Sequence, residues 1–305
     1  MYLLGIMIKP GFLRKGDTVC LVAPGRKLDR ASIDTAAGIL QEHGLSVRLG
    51  ENLFNSAHSY LSGSDAERLA DLQHALDEHS INAIICVRGG YGTTRILDQL
   101  DFTRFAKAPK WVCGFSDVTA LHLKLQALGI ESIHGAMPVQ FQKKGASHSA
   151  ESLIKTLFGT CEPLTAQFSA ANRLGEGTGK LIGGNLSLLT DSLGTSNEIQ
   201  TENNILVIEE VGEYAYRFDR MIVQLKRAGK LDKLAGLVIG HMTDIKEGEL
   251  PFAETVEQML RYHIREFNYP VAFNFLTGHD HPNLSWIEGA DARLTATSTG
   301  STLTF

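Results

Sequence analysis

The chain has 305 residues, with 29 Lys+Arg against 34 Asp+Glu for a formal charge of −5, and 43% of its residues are hydrophobic. That balance excludes a disordered chain, and the acidic excess argues against a nucleic-acid partner held through its phosphates. The 30 glycines, about a tenth of the chain against about 7% on average, follow no collagen period. A chain of this length lies where single cores tend to split, so two domains are expected, or one large one.

The first half alternates short apolar runs with amphipathic stretches. Thr18 to Ala23 reads as a strand closed by Pro24-Gly25. Arg30 to His43 has helical spacing through Ile33, Ala36, Ala37 and Leu40 and stops at Gly44, after which Ser46 to Leu49 is a short strand. Ser64 followed by Glu67 is a capping box opening a helix whose Leu69, Leu72 and Leu76 share a face. Ala83 to Val87 and Trp111 to Cys113 are continuous apolar strands, each followed by glycine and then a helix. Runs apolar on both faces and separated by helices predict a parallel sheet covered on both sides. Such sheets bind ligands beyond the carboxyl ends of their strands, where the two glycine turns fall.

After about residue 160 the texture changes. Thr165 to Gly179 is polar and glycine-containing, and reads as an interdomain connection. Ile205 to Ile208 and Leu234 to Ile239 read as strands, and Arg217 to Ala228 and Phe252 to Phe267 as helices. Ala292 to Phe305 alternates as an antiparallel strand pair. The fold expected is α/β: an N-terminal parallel-sheet, three-layer α/β domain over 1–160, and a smaller mixed β/α C-terminal domain over 161–305.

No run approaches the roughly 18 apolar residues that span a bilayer, and the apolar start Tyr2 to Ile8 lacks the basic segment and cleavage site of a secretion signal. The reading is a cytoplasmic protein without a membrane partner. Cys20, Cys86, Cys113 and Cys161 are widely spaced and mostly within apolar runs, a pattern of buried thiols rather than of disulfides or zinc.

The sharpest chemical signal is Gly114-Phe-Ser-Asp-Val-Thr119. A serine at a strand-to-helix turn holds its hydroxyl exposed, with the next backbone N–H directed at any oxyanion that forms. Val118 replaces the last glycine of the hydrolase elbow Gly-x-Ser-x-Gly, so that fold is not indicated, and Ser116 as a simple helix cap stays open. Arg88-Gly-Gly-Tyr-Gly92 ends the preceding strand. Its glycines permit close backbone approach, which makes Gly90 N–H a candidate second oxyanion donor, with a phosphate cradle or a plain tight turn as alternatives.

A serine nucleophile needs a base and an orienting acid. Gly278-His-Asp-His-Pro-Asn283, at a strand end, is the best histidine segment, although His279, Asp280 and His281 could instead begin a metal site that lacks a third spaced ligand. His134 either lines the same cleft or is a core histidine. Glu209-Glu210 end a buried run and point to opposite faces, so only one can meet the histidine. Arg217, Asp219 and Arg220 form a cluster of charges at the start of the next helix.

These segments, with Ile133-His-Gly135, Gly183-Gly-Asn-Leu-Ser187 and Tyr216-Arg-Phe-Asp-Arg220, resemble in order the LD-carboxypeptidase family of serine peptidases. The resemblance runs from Lys15-Gly-Asp17 and Val22-Ala-Pro24 to Gly289. It implies a Ser116, Glu209, His279 triad formed in a cleft between two domains, with the oxyanion held by the N–H groups of Gly90 and Asp117. It also implies cleavage of murein tetrapeptides between the L-centre of a diamino acid and terminal D-alanine, in cytoplasmic wall recycling, by a homodimer needing no cofactor or metal. Arg88, Tyr91, His134 and Arg217 are taken as substrate contacts, Arg88 or Arg217 supplying a bidentate grip on the substrate carboxylate.

Three positions depart from the family's habit: Gly25 where serine is common, Ala136 where proline is common, and Trp286-Ile-Glu-Gly289 where Leu-Pro-x-Gly is common. A related branch inactivates peptide-nucleotide antibiotics and carries a tryptophan just before Gly-Gly-Asn. Leu181-Ile182 stand there in this chain, which favours murein peptides. A non-enzymatic alternative is a small-molecule or nucleotide-binding module in which Ser116 is only a cap.

Overall fold

The computed structural model describes residues 7–55, 58–141 and 147–305; residues 2–6 of the apolar opening segment lie outside this set. The chain divides into two compact units, Met1–Cys161 with Pro282–Gly289, and Glu162–His281 with Ala290–Phe305.

The first unit is built on parallel strands β1 (Thr18–Val22), β2 (Ser46–Leu49), β3 (Ala83–Cys86), β4 (Trp111–Gly114) and β5 (Ser132–His134), in the spatial order β5-β4-β3-β1-β2. β3, β4 and β5 are buried at every position, as a parallel sheet covered on both faces requires. The order changes direction between β1 and β3, which places the turns after these two strands at a topological switch point. The helix Asp65–Asp77 opens with the expected capping box, Ser64 and Glu67 each bonding the other's backbone. Such a cap contributes about 1 kcal/mol.

The second unit carries β6 (Leu164–Gln167), β7 (Gly175–Asn185), β8 (Ile205–Val211), β9 (Gly236–Thr243) and β10 (Val271–Ala272). The chain then gives β11 (Trp286–Glu288) to the first unit and returns to the second with β12 (Asp291–Ala296) and β13 (Gly300–Thr304). The second sheet runs β10-β9-β8-β7-β12-β13-β6, parallel from β10 to β7 and antiparallel beyond it.

Two expectations change. The stretch Thr165 to Gly179, expected as an interdomain connection, supplies most of β6 and the first half of β7. Its glycines serve packing rather than a turn: a Cβ on Gly177 would fall 1.9 Å from the Ala235 carbonyl oxygen. Residues 282–289, expected with the C-terminal domain, belong to the first unit, because β11 pairs antiparallel with β5. Burial drives this return. Trp286 is fully buried and stacks on His134 with ring centroids 4.9 Å apart, and burying a tryptophan contributes several kcal/mol. Among the described residues no helix is long and apolar enough to cross a membrane.

Candidate active site

In the first unit, β4 ends at Gly114 and the chain reverses through a short 3-10 turn, Ser116–Val118, into the helix Thr119–Ala127. Ser116 has φ +63°, a left-handed conformation that costs a residue other than glycine about 1–3 kcal/mol. It is also the one residue of 111–120 that is not buried. Ser116 is the first residue inside the turn, and the positions preceding the turn and the helix are Phe115 and Val118, neither of which caps through its side chain. Ser116 thus stands inside the turn rather than at the position preceding it.

The glycine loop after β3 faces this turn. A Cβ on Gly89 would lie 3.0 Å from Ser116 Oγ and 3.2 Å from the Asp117 backbone nitrogen, so the missing side chain leaves a space bordered by hydroxyl and N–H. Asp117 ties the two segments together. Its buried carboxylate accepts from Thr93 N–H (2.9 Å) and Thr93 Oγ1 (2.7 Å). Burial pushes this carboxyl upward in pKa, while the Thr93 donors and the charge of Arg68 pull it back. Arg68, 1% exposed, donates to the carbonyls of Pro24 and Gly92 (the latter at 2.9 Å) and pairs with Asp65, which also binds Arg95. A guanidinium at that depth costs several kcal/mol unless it is paired and hydrogen-bonded. Here it fastens the turns after β1 and β3 to each other.

The end of β4 is fixed from the opposite side by His122, which bonds Ser132 Oγ (2.8 Å) and the Gly114 carbonyl (2.9 Å). A carbonyl only accepts, so Nε2 carries the proton and Nδ1 accepts from the Ser132 hydroxyl. Burial pushes His122 down to about 4, which keeps the imidazole neutral at physiological pH.

The other expected residues of this unit separate into two kinds. Arg88 is half-buried, its Nη1 donating to the Lys27 carbonyl (3.2 Å), and Tyr91 is exposed and hydrogen-bonded to Arg95. His134 is fully buried beside Phe115, His122 and Trp286. Of the two roles open to it, cleft wall or core, its environment fits the core, and it has no exposed surface for the substrate contact expected of it.

In the second unit, β8 carries Glu209 and Glu210 next to its last residue, Val211, and both are buried. Glu209 Oε2 lies 2.6 Å from His279 Nδ1. With its Nδ1–H donated to a carboxylate, the imidazole presents its lone pair at Nε2, the form a general base needs. Gly278 permits the approach: it has φ +121°, and a Cβ there would fall 2.8 Å from Glu209 Oε2. Glu210 points the other way, as strand alternation requires. It accepts from Asn185 Nδ2 (3.1 Å), Ser187 N–H (2.8 Å), Ser187 Oγ (2.6 Å) and Val211 N–H (2.8 Å). Burial raises the Glu210 carboxyl and these donors hold it down. Asn185 and Ser187 of the Gly-Gly-Asn-Leu-Ser segment thus serve Glu210.

His241 on β9 stands beside that pair. Its Nδ1 accepts from Asp280 N–H (3.2 Å), and burial lowers its pKa against the opposing charges of Asp280 and Glu209. Among the described residues no group of three or more His, Cys, Asp or Glu side chains could hold a metal ion. Arg217 is half-exposed at the start of the helix Ala215–Arg227, with Tyr216 Oη at 3.2 Å and Glu213 at 3.7 Å.

Residues 19–135 match the LD-carboxypeptidase N-terminal domain and residues 178–294 its C-terminal domain. The chain belongs to the LD-carboxypeptidase family. It is 38% identical over 94% of its length to a Bacillus subtilis protein named "Probable murein peptide carboxypeptidase", covering 91% of that protein. It is 30% identical over 90% of its length to the murein tetrapeptide carboxypeptidase of Pseudomonas aeruginosa, covering 92% of it. A crystal structure of muramoyltetrapeptide carboxypeptidase from Oxalobacter formigenes superposes with a TM-score of 0.86 at 27% identity, covering 94% of this chain and 97% of that one.

In each unit of this LD-carboxypeptidase, residues beside the described segments were announced by no motif. Arg68 sits on a helix that reads as ordinary and amphipathic, Thr93 follows the last glycine of the loop, and His241 lies mid-strand. A charged residue on the buried face of a helix was the available signal for Arg68, since such a group is retained only when it is paired.

Proposed function

We propose that this LD-carboxypeptidase removes terminal D-alanine from murein tetrapeptides, cutting the bond to the L-centre of the diamino acid, with Ser116 as nucleophile, His279 as general base and Glu209 as its orienter. The observation that carries the assignment of base and acid is the buried Glu209 carboxylate 2.6 Å from His279 Nδ1. The left-handed Ser116 at the strand-to-helix turn supports the nucleophile.

In this reading His279 Nε2 takes the Ser116 hydroxyl proton as Oγ attacks the diamino acid carbonyl. Glu209 stabilises the imidazolium that results. The negative charge that develops on the carbonyl oxygen is met by the backbone N–H groups of Asp117 and Gly90, for which the absent Gly89 side chain leaves room. The imidazolium then gives its proton to the departing D-alanine amine. Water, deprotonated by His279, releases the tripeptide from Ser116.

The cytoplasmic setting in wall recycling and the homodimer are part of the same proposal and rest on the family resemblance. Leu181 and Ile182, ahead of the Gly-Gly-Asn segment, are fully buried and aliphatic, which supports a peptide substrate over one with a nucleobase to stack. The test is mass spectrometry of a defined murein tetrapeptide before and after incubation. The proposal expects tripeptide and free D-alanine, and no cleavage of the same peptide ending in L-alanine. Equal cleavage of both peptides, or release of a different fragment, overturns it.

A further inference from the structure

A carboxypeptidase differs from an endopeptidase in how it treats the terminal carboxylate. When the last peptide bond is cut, that carboxylate carbon lies only about 4 Å from the scissile carbonyl carbon. Its receptor must stand within one side chain of the oxyanion site. Two arginines of the first unit flank the loop that borders this site, Arg26 in the turn after β1 and Arg88 in the turn after β3. Arg88 directly precedes Gly89, and Arg26 donates its backbone N–H to the Gly89 carbonyl (3.1 Å). The Arg26 side chain packs against Gly90, where a Cβ would lie 2.9 Å from Arg26 Cβ and 3.0 Å from Tyr60 Oη. The Arg26 guanidinium lies over the Tyr60 ring, 5.1 Å from its centroid.

These two cations lack what the chain's other site-region arginines have. Arg68 and Arg95 share Asp65, and Arg217 has Glu213. Among the described residues neither Arg26 nor Arg88 has a carboxylate within ion-pair distance. Asp29, whose charge Arg88 feels, is occupied by Ser32 N–H and Oγ, each at 2.8 Å. Among the described residues the Arg88 side chain makes one hydrogen bond, to the Lys27 carbonyl, which leaves most of its five N–H donors for a ligand. It is half-buried, and both burial and the neighbouring Arg26 weaken its hold on its proton. A bound anion relieves both costs, and a carboxylate matches the guanidinium fork.

We infer that Arg88 and Arg26, backed by Tyr60, form the receptor for the substrate's terminal carboxylate and so make the enzyme an exopeptidase. The inference rests on the carboxypeptidase reading of Ser116, and it chooses Arg88 over Arg217, whose charge is already met. The test compares kcat/KM for a murein tetrapeptide ending in D-alanine with that for the same peptide ending in D-alanine amide. Wild-type enzyme should prefer the acid by about 100-fold or more, the loss expected when charge-assisted bonds are withheld.

R88M should lower kcat/KM for the acid by about 10- to 100-fold and R26M by about tenfold, while the amide rate stays within about threefold of wild type. The amide rate reports that the fold and the nucleophile are intact, and exposed Arg26 carries the test if R88M does not fold. Undiminished preference for the acid in both variants, or its collapse in R217M instead, overturns the inference while the parent reading stands. Wild-type enzyme that releases no D-alanine from the acid overturns both.

Discussion

The turn that carries Ser116 and the pair formed by Glu209 and His279 are held by different means. In the first unit the serine is placed by backbone: a left-handed φ, a glycine loop lying against it, and a carboxylate at Asp117 that grips Thr93 from the next segment. In the second unit the histidine meets a charged partner, a buried carboxylate at 2.6 Å. In the proposed mechanism the first arrangement positions an atom that must be exposed to its substrate. The second selects a tautomer and sets a negative charge beside the ring, which a neutral backbone carbonyl does not. Substitutions should therefore fail differently in the two regions.

The larger effect is expected on the histidine side. In E209Q the amide can donate to Nδ1 and drive the proton to Nε2, so kcat should fall about 10³- to 10⁴-fold with KM little changed. Steady-state kinetics on a murein tetrapeptide measures this. A loss below about tenfold would mean that Glu209 only anchors the strand end. On the serine side, G89A adds a methyl group 3.0 Å from Ser116 Oγ and 3.2 Å from Asp117 N. Here kcat should fall about 10²-fold, the scale of losing one oxyanion donor. The added crowding should also lower stability by about 1–3 kcal/mol, read from denaturant unfolding. Wild-type kcat in G89A would remove the loop from the oxyanion site.

The same contrast explains what could be read from the sequence. Local patterns point to strands over Thr18 to Ala23, Ala83 to Val87 and Trp111 to Cys113, each within a residue of the observed end, and to the capping box at Ser64 and the serine turn, because each depends on neighbours within a few residues. The choice of Glu209 over Glu210 was open, since alternation says only that they diverge. It is decided by Asn185 and Ser187, about two dozen residues away, which take up Glu210. Trp286 read as part of the C-terminal domain because its partner, His134, lies some 150 residues earlier. The glycine-rich Thr165 to Gly179 read as a connection because a strand packed against a neighbouring carbonyl and a flexible loop use the same residue. A strand-end position suits His134 equally to cleft or core, and its full burial beside Phe115, His122 and Trp286 fits the core.

The account rests on Ser116 as the atom that becomes acylated. The most direct measurement treats wild-type enzyme and S116A with a serine-directed fluorophosphonate, maps the modified peptide by mass spectrometry, and follows D-alanine release in the same samples. The account predicts a single adduct on Ser116 that rises as activity falls, and S116A that takes no label and is slower by about 10⁴-fold or more. An adduct on another residue, or D-alanine release by S116A within about tenfold of wild type, would contradict it.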